Sequence, residues 1–455
     1  MPDRDPARSD SHRRPVRRAA VIGLGRTGIA VIAHLQRAGV AVTVTDSRQD
    51  PPGRASLAQV APEVIARLGG FDLTVLDAAD EVIVSPGVSL REPIIAQALA
   101  RGLPVSGDIE LFARAVHAPV VGVTGTNGKS TVASLVAAMA ARAGRRVLAG
   151  GNLGPPALEL LQAPEPDLYV LELSSFQLDT TRSLAPCAAV VLNVTPDHLD
   201  RYDSLEGYAA SKAQIYAGAR CAVVNLDDPL VRVMPRAGQR VIGFSLQSDA
   251  QATYRTLHER SDTVLYRESR RVAKLGELRL SGLHNAANAL AALALAEGAG
   301  LELEPSVAAL CEFTGLPHRT QWIADVAGVR YIDDSKGTNV GATIAAVEGL
   351  RGPLIVIAGG DGKEQDFTPL ADAFAGKVRR AVLLGRDAGR LGAALATACP
   401  SERAEDMPDA VRRAARIALP GDTVLLSPAC ASLDMFRDYA HRGEVFATAV
   451  RELAR

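Results

Sequence analysis

Short apolar runs alternate with longer stretches rich in Ala and Leu along nearly the whole chain. Runs such as AAVIGLG, VAVTVTD and EVIVSP have the length and β-branched content of buried strands. Segments such as TVASLVAAMAARAG and HNAANALAALALAEG space their apolar residues as a helix would. Strands that are apolar on both faces and separated by helices belong to mainly parallel sheets with helical cover, so the predicted fold class is α/β.

Three such cycles separate along the chain. The first runs from RRAAVIGLGRTG through VAVTVTDS and EVIVSPG to near GLPVSGD. The second opens at APVVGVTGTNGKST, contains RRVLAGG, DLYVLELSS, CAAVVLNVT and CAVVNLDD, and ends in HNAANALAALALAEGAG. The third follows FTGLPHR and contains VRYIDDS, PLIVIAGGDG, RRAVLLGRD and GDTVLLSPA. The expected organisation is a disordered tail over 1–18, a Rossmann-like domain over 19–107, a central P-loop domain over 108–315 and a second Rossmann-like domain over 316–455.

Composition narrows the function. With 455 residues, 50 Lys+Arg and 51 Asp+Glu, the chain has a formal net charge of -1, which offers no electrostatic footprint for nucleic acid or an anionic membrane. Cys187, Cys221, Cys311, Cys399 and Cys430 form no C-x-x-C pair, so neither a disulfide framework nor a zinc site is indicated, and a cytoplasmic setting fits. The Arg-rich opening MPDRDPARSDSHRRPVRR has no apolar core and carries Asp, which argues against a targeting peptide.

Two glycine-rich strand-to-helix turns carry candidate chemistry. TGTNGKST presents Gly125, Thr126, Asn127, Gly128, Lys129, Ser130 and Thr131 at the head of a helix. Backbone N–H groups, the helix dipole and a lysine there suit phosphate oxygens, and the Ser or Thr hydroxyl suits Mg²⁺. The common phosphate-loop spelling G-x-x-x-x-G-K-[ST] would place a glycine at Val123, and here Gly125 stands nearest in role. Glu172, at the end of the run DLYVLELSS, is placed to reach the metal. The other turn, GLGRTG, sets Gly23, Gly25 and Gly28 in G-x-G-x-x-G spacing, with Asp46 closing the next strand about 20 residues on. Alone it reads as a dinucleotide site, but a nucleotide-sugar diphosphate offers the same two phosphates and ribose, so both remain open.

Taken in order, GLGRTG, SPGV, GDIELF, TGTNGKST, GGNLG, LELSSFQL, NVTPDHLDRY, the Tyr208–Lys212 segment, SGLHNAANALAA, FTGLPHR, DDSKGTN, GGDGK and LSPACASLDMF resemble the Mur ligases of peptidoglycan synthesis, over nearly the whole chain after the tail. In that family the loop is TG[ST]NGK[ST], so the glycine missing at Val123 is normal. The resemblance implies a UDP-binding first domain, and ATP-dependent ligation of D-glutamate to UDP-N-acetylmuramoyl-L-alanine through an acyl phosphate. An L-glutamate-adding variant stays open. A folylpolyglutamate synthase-like ligase and an NAD-dependent oxidoreductase are more distant readings.

The roles it implies fall on particular residues. ATP would be held by the 125–131 loop with Asn285, Asn288, Arg319 and Asp334, and Lys129, His198 and Lys212 would be catalytic. Ser130, Glu172, His198 and Lys212, the last as a CO₂-derived carbamate, would form the Mg²⁺ shell. Gly25, Arg26, Thr27, Asp46, Ser47, Arg48, Ser85, Gly87, Asn152, Ser174 and Gln177, with Ser175, would contact the UDP substrate. Lys336, Thr338, Lys363, Ser432, Leu433 and Tyr439 would form the glutamate pocket; the family often has Phe where this chain has Tyr439. From the residues alone, Tyr208, Lys212 and Tyr216 share one helix face, which also fits a lysine stem packed between two rings with its head in water. The expected partners are small molecules, with no nucleic acid, no stable membrane association and a monomeric state.

Overall fold

The structure, a computed structural model, describes residues 16–453 except 199, 248–250, 260–261, 281 and 351. The tail expected over 1–18 lies, up to residue 15, outside the described residues. The chain divides into two compact units. The smaller comprises everything up to Ala118 together with Leu148–Pro166 and Leu173–Ala185. The larger comprises Pro119–Val147, Asp167–Glu172 and everything from Pro186 onward.

In the smaller unit, β1 (Arg18–Ile22), β2 (Ala41–Asp46), β3 (Ala66–Leu68), β4 (Glu81–Val84) and β5 (Val105–Ser106) form a parallel sheet in the order β3-β2-β1-β4-β5. The order reverses between β1 and β4, and a crevice at the C-terminal ends of such strands is where doubly wound sheets take ligands. Both GLGRTG, after β1, and SPGV, after β4, therefore fall at that crevice. Ala20, Ile22, Val82 and Val84 pack on Ile94, Ile95 and Ala98 of helix Pro93–Ala100.

The larger unit carries two sheets. The first contains β6 (Val120–Thr124), β8 (Leu168–Glu172), β9 (Ala188–Val191), β10 (Cys221–Asn225), β11 (Arg240–Ser245), β12 (Tyr254–Glu259), β13 (Asp262–Arg267) and β14 (Arg270–Lys274). Their order is β14-β13-β12-β11-β10-β9-β6-β8, and in β7 (Val147–Gly151) the chain passes from the larger unit into the smaller. Pairing is parallel from β8 to β12. The segment 254–274, for which the apolar pattern assigned no element, adds the antiparallel strands β12 to β14. The run YRTLHE alternates buried and more exposed positions, as a sheet with one wet face does, whereas DTVLYR buries Val264 and Leu265 in succession. Helices Lys129–Arg142 and Leu283–Gly298 cover the sheet, burying Val132, Val136, Met139, Leu290 and Leu293 against Val121, Val123 and Val190.

The second sheet orders β15 (Gln321–Val326), β16 (Val329–Asp333), β17 (Leu354–Gly359), β18 (Val378–Leu384), β19 (Ser401–Arg403) and β20 (Thr423–Leu426) as β15-β16-β20-β17-β18-β19, parallel except for the β15/β16 hairpin. Here the switch point falls where β20 enters between β16 and β17, so the motifs after β16, β17 and β20, DDSKGTN, GGDGK and SPACAS, gather at one edge.

Candidate active site

The loop after β6 shows why Val123 need not be glycine. Val123 is a strand residue whose side chain is buried in the core, and the turn begins only at Gly125. Gly125 has φ +147, and a Cβ there would lie 2.9 Å from Leu192 Cβ and 3.3 Å from the Asn193 amide nitrogen. Gly128 has φ +84 and would drive a Cβ to 2.4 Å from Asn288 Oδ1. Both positions need a residue without a side chain. Asn193, unassigned from sequence, clamps the loop: its Oδ1 accepts from the Asn127 N–H at 2.8 Å and its Nδ2 donates to the Asn127 carbonyl at 3.2 Å.

Lys129 Nζ donates to the carbonyls of Gly125 and Thr126, both at 2.9 Å, so the cation folds back over the loop that a phosphate would occupy. Lys212 Nζ donates to the same Gly125 carbonyl at 3.0 Å and sits 4.3 Å from the centre of the Tyr208 ring. Lys212 is 1% exposed, so the reading with its head in water does not hold. Tyr216 does not complete a sandwich around it. The helix Leu205–Ala213 gives way to a 3₁₀ turn, and the Tyr216 hydroxyl donates to the Val223 carbonyl and accepts from the Val191 N–H inside the sheet.

Ser130 Oγ donates to Glu172 Oε2 at 2.5 Å, and Arg319 Nη2 donates to Ser130 Oγ. The LPHR motif thus reaches the phosphate loop. Burial lowers the pKa values of Lys129 and Arg319, and the Glu172 carboxylate opposes that shift in both. His198 adopts φ +55, and burial holds its pKa below the ordinary value, with Lys363 and Lys212 acting in the same direction against Asp197. A neutral imidazole can donate a lone pair to a metal. Among the described residues no group of three or more His, Cys, Asp and Glu could hold an ion by itself. A hydroxyl, one carboxylate and an imidazole beside a phosphate loop do fit Mg²⁺, which leans on substrate phosphates and water for its remaining ligands.

Beside this cluster lies a cavity of about 300 Å³ lined by Asn127, Asn285, Asn288, Arg319, Asp334 and Lys336, among others. Asn288 Nδ2 donates to Asn285 Oδ1 at 3.2 Å, so the two amides foreseen on one helix face are indeed neighbours. Asp334 accepts from the Thr320 N–H and from Ser427 Oγ, and burial pushes its carboxyl up to about 7. Lys336 Nζ stands 4.0 Å from the centre of the Tyr439 ring. Burial, then repulsion from Arg319, Lys129 and Lys363, brings its amine down to about 8 despite the attraction of Glu172. The Thr338 N–H donates to the Lys336 carbonyl. Asp361 and Ala431 pair as an isolated bridge, which draws the Lys363 loop to Ser432 and Leu433. Ser432 is buried and Leu433 is 73% exposed.

In the smaller unit, a Cβ at Gly28 would come within 2.2 Å of the Gly23 carbonyl oxygen, whereas at Gly25 it would meet nothing within 4 Å. Gly25 is the N-cap of helix Arg26–Arg37 with no side-chain cap, leaving that helix end open to an anion. Ser85 Oγ donates to the Gly23 carbonyl at 2.9 Å. Asp46 accepts from the Leu24 N–H at 2.7 Å and from the Arg48 backbone and guanidinium, bonds that hold its pKa below the usual value although burial opposes them. Its oxygens thus brace the glycine loop and orient Arg48. Thr27, Ser47, Arg48, Gly87 and Asn152 are partly or fully exposed, and Arg26 forms an exposed ion pair with Glu159 at 3.5 Å. The Gln177 amide is engaged at both ends: Oε1 accepts from Ser174 N–H and Oγ, and Nε2 donates to Asp108 Oδ2 at 2.9 Å. Ser175 is buried at the start of the same turn.

A phosphate loop with an acidic strand end, an arginine from a third motif and a lysine-rich edge defines a P-loop ligase that activates an acid with ATP. The Mur ligase middle domain matches residues 123–296, the Mur ligase MurD-like N-terminal domain matches 17–107, and the Mur ligase glutamate ligase domain matches 318–430. The chain is 52% identical over 437 residues to the UDP-N-acetylmuramoylalanine--D-glutamate ligase of Nitrosococcus oceani, covering 96% of each chain. It is 48% identical to the enzyme of the same name from Pseudomonas putida, covering 95% of this chain and 97% of that one. Among solved structures, the UDP-N-acetylmuramate-alanine ligase of Thermotoga maritima matches with a TM-score of 0.61 at 19% identity, over 96% of this chain and all of that one. The type C pseudomurein peptide ligase of Methanothermus fervidus matches at 0.60 and 20%, over 96% and 99%. These two likenesses concern the fold. The chain belongs to the Mur ligase family, whose members are ATP-dependent ligases that use Mg²⁺. No helix among the described residues is long and apolar enough to cross a membrane.

Proposed function

We propose that the chain joins D-glutamate to the carboxylate of UDP-N-acetylmuramoyl-L-alanine, with ATP becoming ADP and phosphate. Residues 19–107 would hold the UDP handle, 108–315 the ATP and 316–455 the glutamate. The observation that carries this reading is the Arg319–Ser130–Glu172 chain, which brings the LPHR motif onto the phosphate loop. The 52% identity to a ligase of that name supports the substrate assignment.

A carboxylate is a poor electrophile, so its oxygen attacks the γ-phosphorus and gives an acyl phosphate. The glutamate amine then displaces phosphate through a tetrahedral intermediate. Gathering the γ-phosphate, the acyl carboxylate and glutamate is opposed by Coulomb repulsion, and the chain answers with Lys129, Arg319, Lys336 and Lys363. Lys129 and Arg319 meet the phosphates, while Lys336, Lys363, Thr338, Ser432, Leu433 and Tyr439 form the glutamate pocket. Asn285, Asn288 and Asp334 line the nucleotide side. Mg²⁺, held by Ser130, Glu172 and His198, would neutralise charge on the transferring phosphoryl group. Lys212 would carry a carbamate: its amine is buried at the phosphate loop, within 3.0 Å of the Gly125 carbonyl, and carbamylation converts it to an oxygen donor. Ser174 and Asn152 would meet the acyl end, and the handle would bind at Gly25, Arg26, Thr27, Asp46, Ser47, Arg48, Ser85 and Gly87, where its binding energy positions the reacting end.

The test is ADP release from UDP-N-acetylmuramoyl-L-alanine with either D- or L-glutamate. Turnover with D-glutamate supports the proposal, turnover with L-glutamate alone assigns the other hand, and no turnover with either overturns it.

A further inference from the structure

Asn339 closes the DDSKGTN motif, and no step of the reaction above uses it. Its side chain is 4% exposed and all its polar groups have partners. Oδ1 accepts from the Ala342 N–H at 2.8 Å, capping helix Val340–Gly349. Nδ2 donates to Asn127 Oδ1 at 3.2 Å and to Asp197 Oδ2 at 3.3 Å. The cap fixes the orientation of the amide, because a flipped side chain would aim Nδ2 at a donor and present an acceptor to Asp197. The partners matter more than the count. Asn127 belongs to the ATP loop. Asp197 is buried, its Oδ1 accepts from the His198 N–H at 3.0 Å, and its Oδ2 lies 3.7 Å from His198 Nε2.

The backbone around Asn339 is built for this approach. Two residues on, a Cβ at Gly341 would stand 3.2 Å from Thr195 Oγ1, tighter than ordinary contact, and 3.6 Å from Asn127 Nδ2, so the helix end lies close against both loops. In the other direction lie Thr338 and Lys336, three residues from Asn339 at most, both assigned to the glutamate pocket.

We propose that Asn339 is a positioning residue that sets the glutamate-binding motif in register with the ATP loop and the His198 loop, so that one amide governs the use of both co-substrates. The inference rests on the proposed functions of those motifs. An amide donating to a buried carboxylate is worth about 1.5–3 kcal/mol, or roughly 10- to 100-fold in an equilibrium.

The experiment uses the full chain and compares Asn339→Ser, which keeps an oxygen to cap the helix and removes the longer amide arm whose nitrogen reaches Asn127 and Asp197, with wild type. With UDP-N-acetylmuramoyl-L-alanine present, kcat/KM for ATP and kcat/KM for D-glutamate are expected to fall together, by roughly tenfold or more, while the melting temperature falls by no more than several degrees and the protein stays folded at the assay temperature. A double-mutant cycle with Asn127→Ala is expected to be non-additive in both parameters. Additive effects, loss confined to glutamate, or a lowered melting temperature with unchanged kcat/KM for both co-substrates would overturn the proposal. Wild-type protein that turns over neither glutamate isomer would instead refute the proposed function itself, so the two failures are distinguishable.

Discussion

The molecule carries two glycine-rich turns at the ends of first strands, and they differ in what surrounds them. After β1, Gly28 is demanded by close backbone packing and Gly23 by its φ of +98 and the side chains of Val88 and Ser85, and the helix end at Gly25 stands open, with Asp46 bracing the loop. After β6, the loop is clamped by Asn193, overlaid by Lys129 and approached by Lys212, Arg319 and Asn339, with Glu172 on the hydroxyl of Ser130. A bare helix N-terminus suffices to hold a diphosphate that is not broken. A phosphate that is to be transferred needs converging cations and a metal shell.

The largest way to break this comparison is Lys129→Met, expected to lower kcat/KM for ATP by roughly 10²- to 10³-fold, as removal of a charge-stabilising donor does elsewhere. Binding of UDP-N-acetylmuramoyl-L-alanine, measured by calorimetry, is expected to stay within about twofold. Next comes Lys212→Ala, expected to cost at least about tenfold in kcat and to recover in part with acetate or another small carboxylate; wild-type rates would end the carbamate idea.

In the smaller unit the effects are on stability. Gly28→Ala forces a Cβ against the Gly23 carbonyl and is expected to destabilise by about 1–3 kcal/mol in urea unfolding. Gly25→Ala, with open space around it, is expected to cost well under that figure, and equal costs would show that the two glycines are not distinguished by packing. Asp108 offers a pH test. Burial raises its folded pKa to about 6, above its unfolded value, so ionising it opposes folding. The protein is free of that penalty below about pH 4, loses stability as the pH rises to about 6, and is level in this contribution beyond that point. Asp108→Asn is expected to flatten that slope, a difference of about 2–3 kcal/mol at pH 7. The smallest effect belongs to Arg26→Ala, whose exposed ion pair with Glu159 is worth well under about 1 kcal/mol.

Much of this was legible in the sequence, for local reasons. A strand, a Gly turn and a helix start lie within a dozen residues of one another, so the phosphate loop and the 23–28 turn announce themselves. The parallel sheets follow from runs apolar on both faces. Other features depend on partners distant along the chain. Spacing places Asp46 at a strand end but cannot show that its oxygens accept from Arg48 and the Leu24 amide. Tyr216 looked like a companion of Lys212 because a helical pattern does not reveal that the helix stops at Ala213. Asn193 and Asn339 carry no signal of their own, since an amide in a loop has many ordinary uses. Arg442 is similar: 1% exposed, it donates to Ser335 Oγ, Ser335 O and Cys430 O and so ties the DDSK and SPAC loops together, yet in sequence it is one arginine on a surface-patterned helix.

The interleaving of the two units bears on how the chain is made. Because the smaller unit includes Leu173–Ala185, its last segment leaves the ribosome only after strands β6 and β8 of the larger unit have been synthesised. Its folding cannot be completed until those strands have also been made, and a gene cut after Ala118 would encode a fragment lacking two of its own pieces.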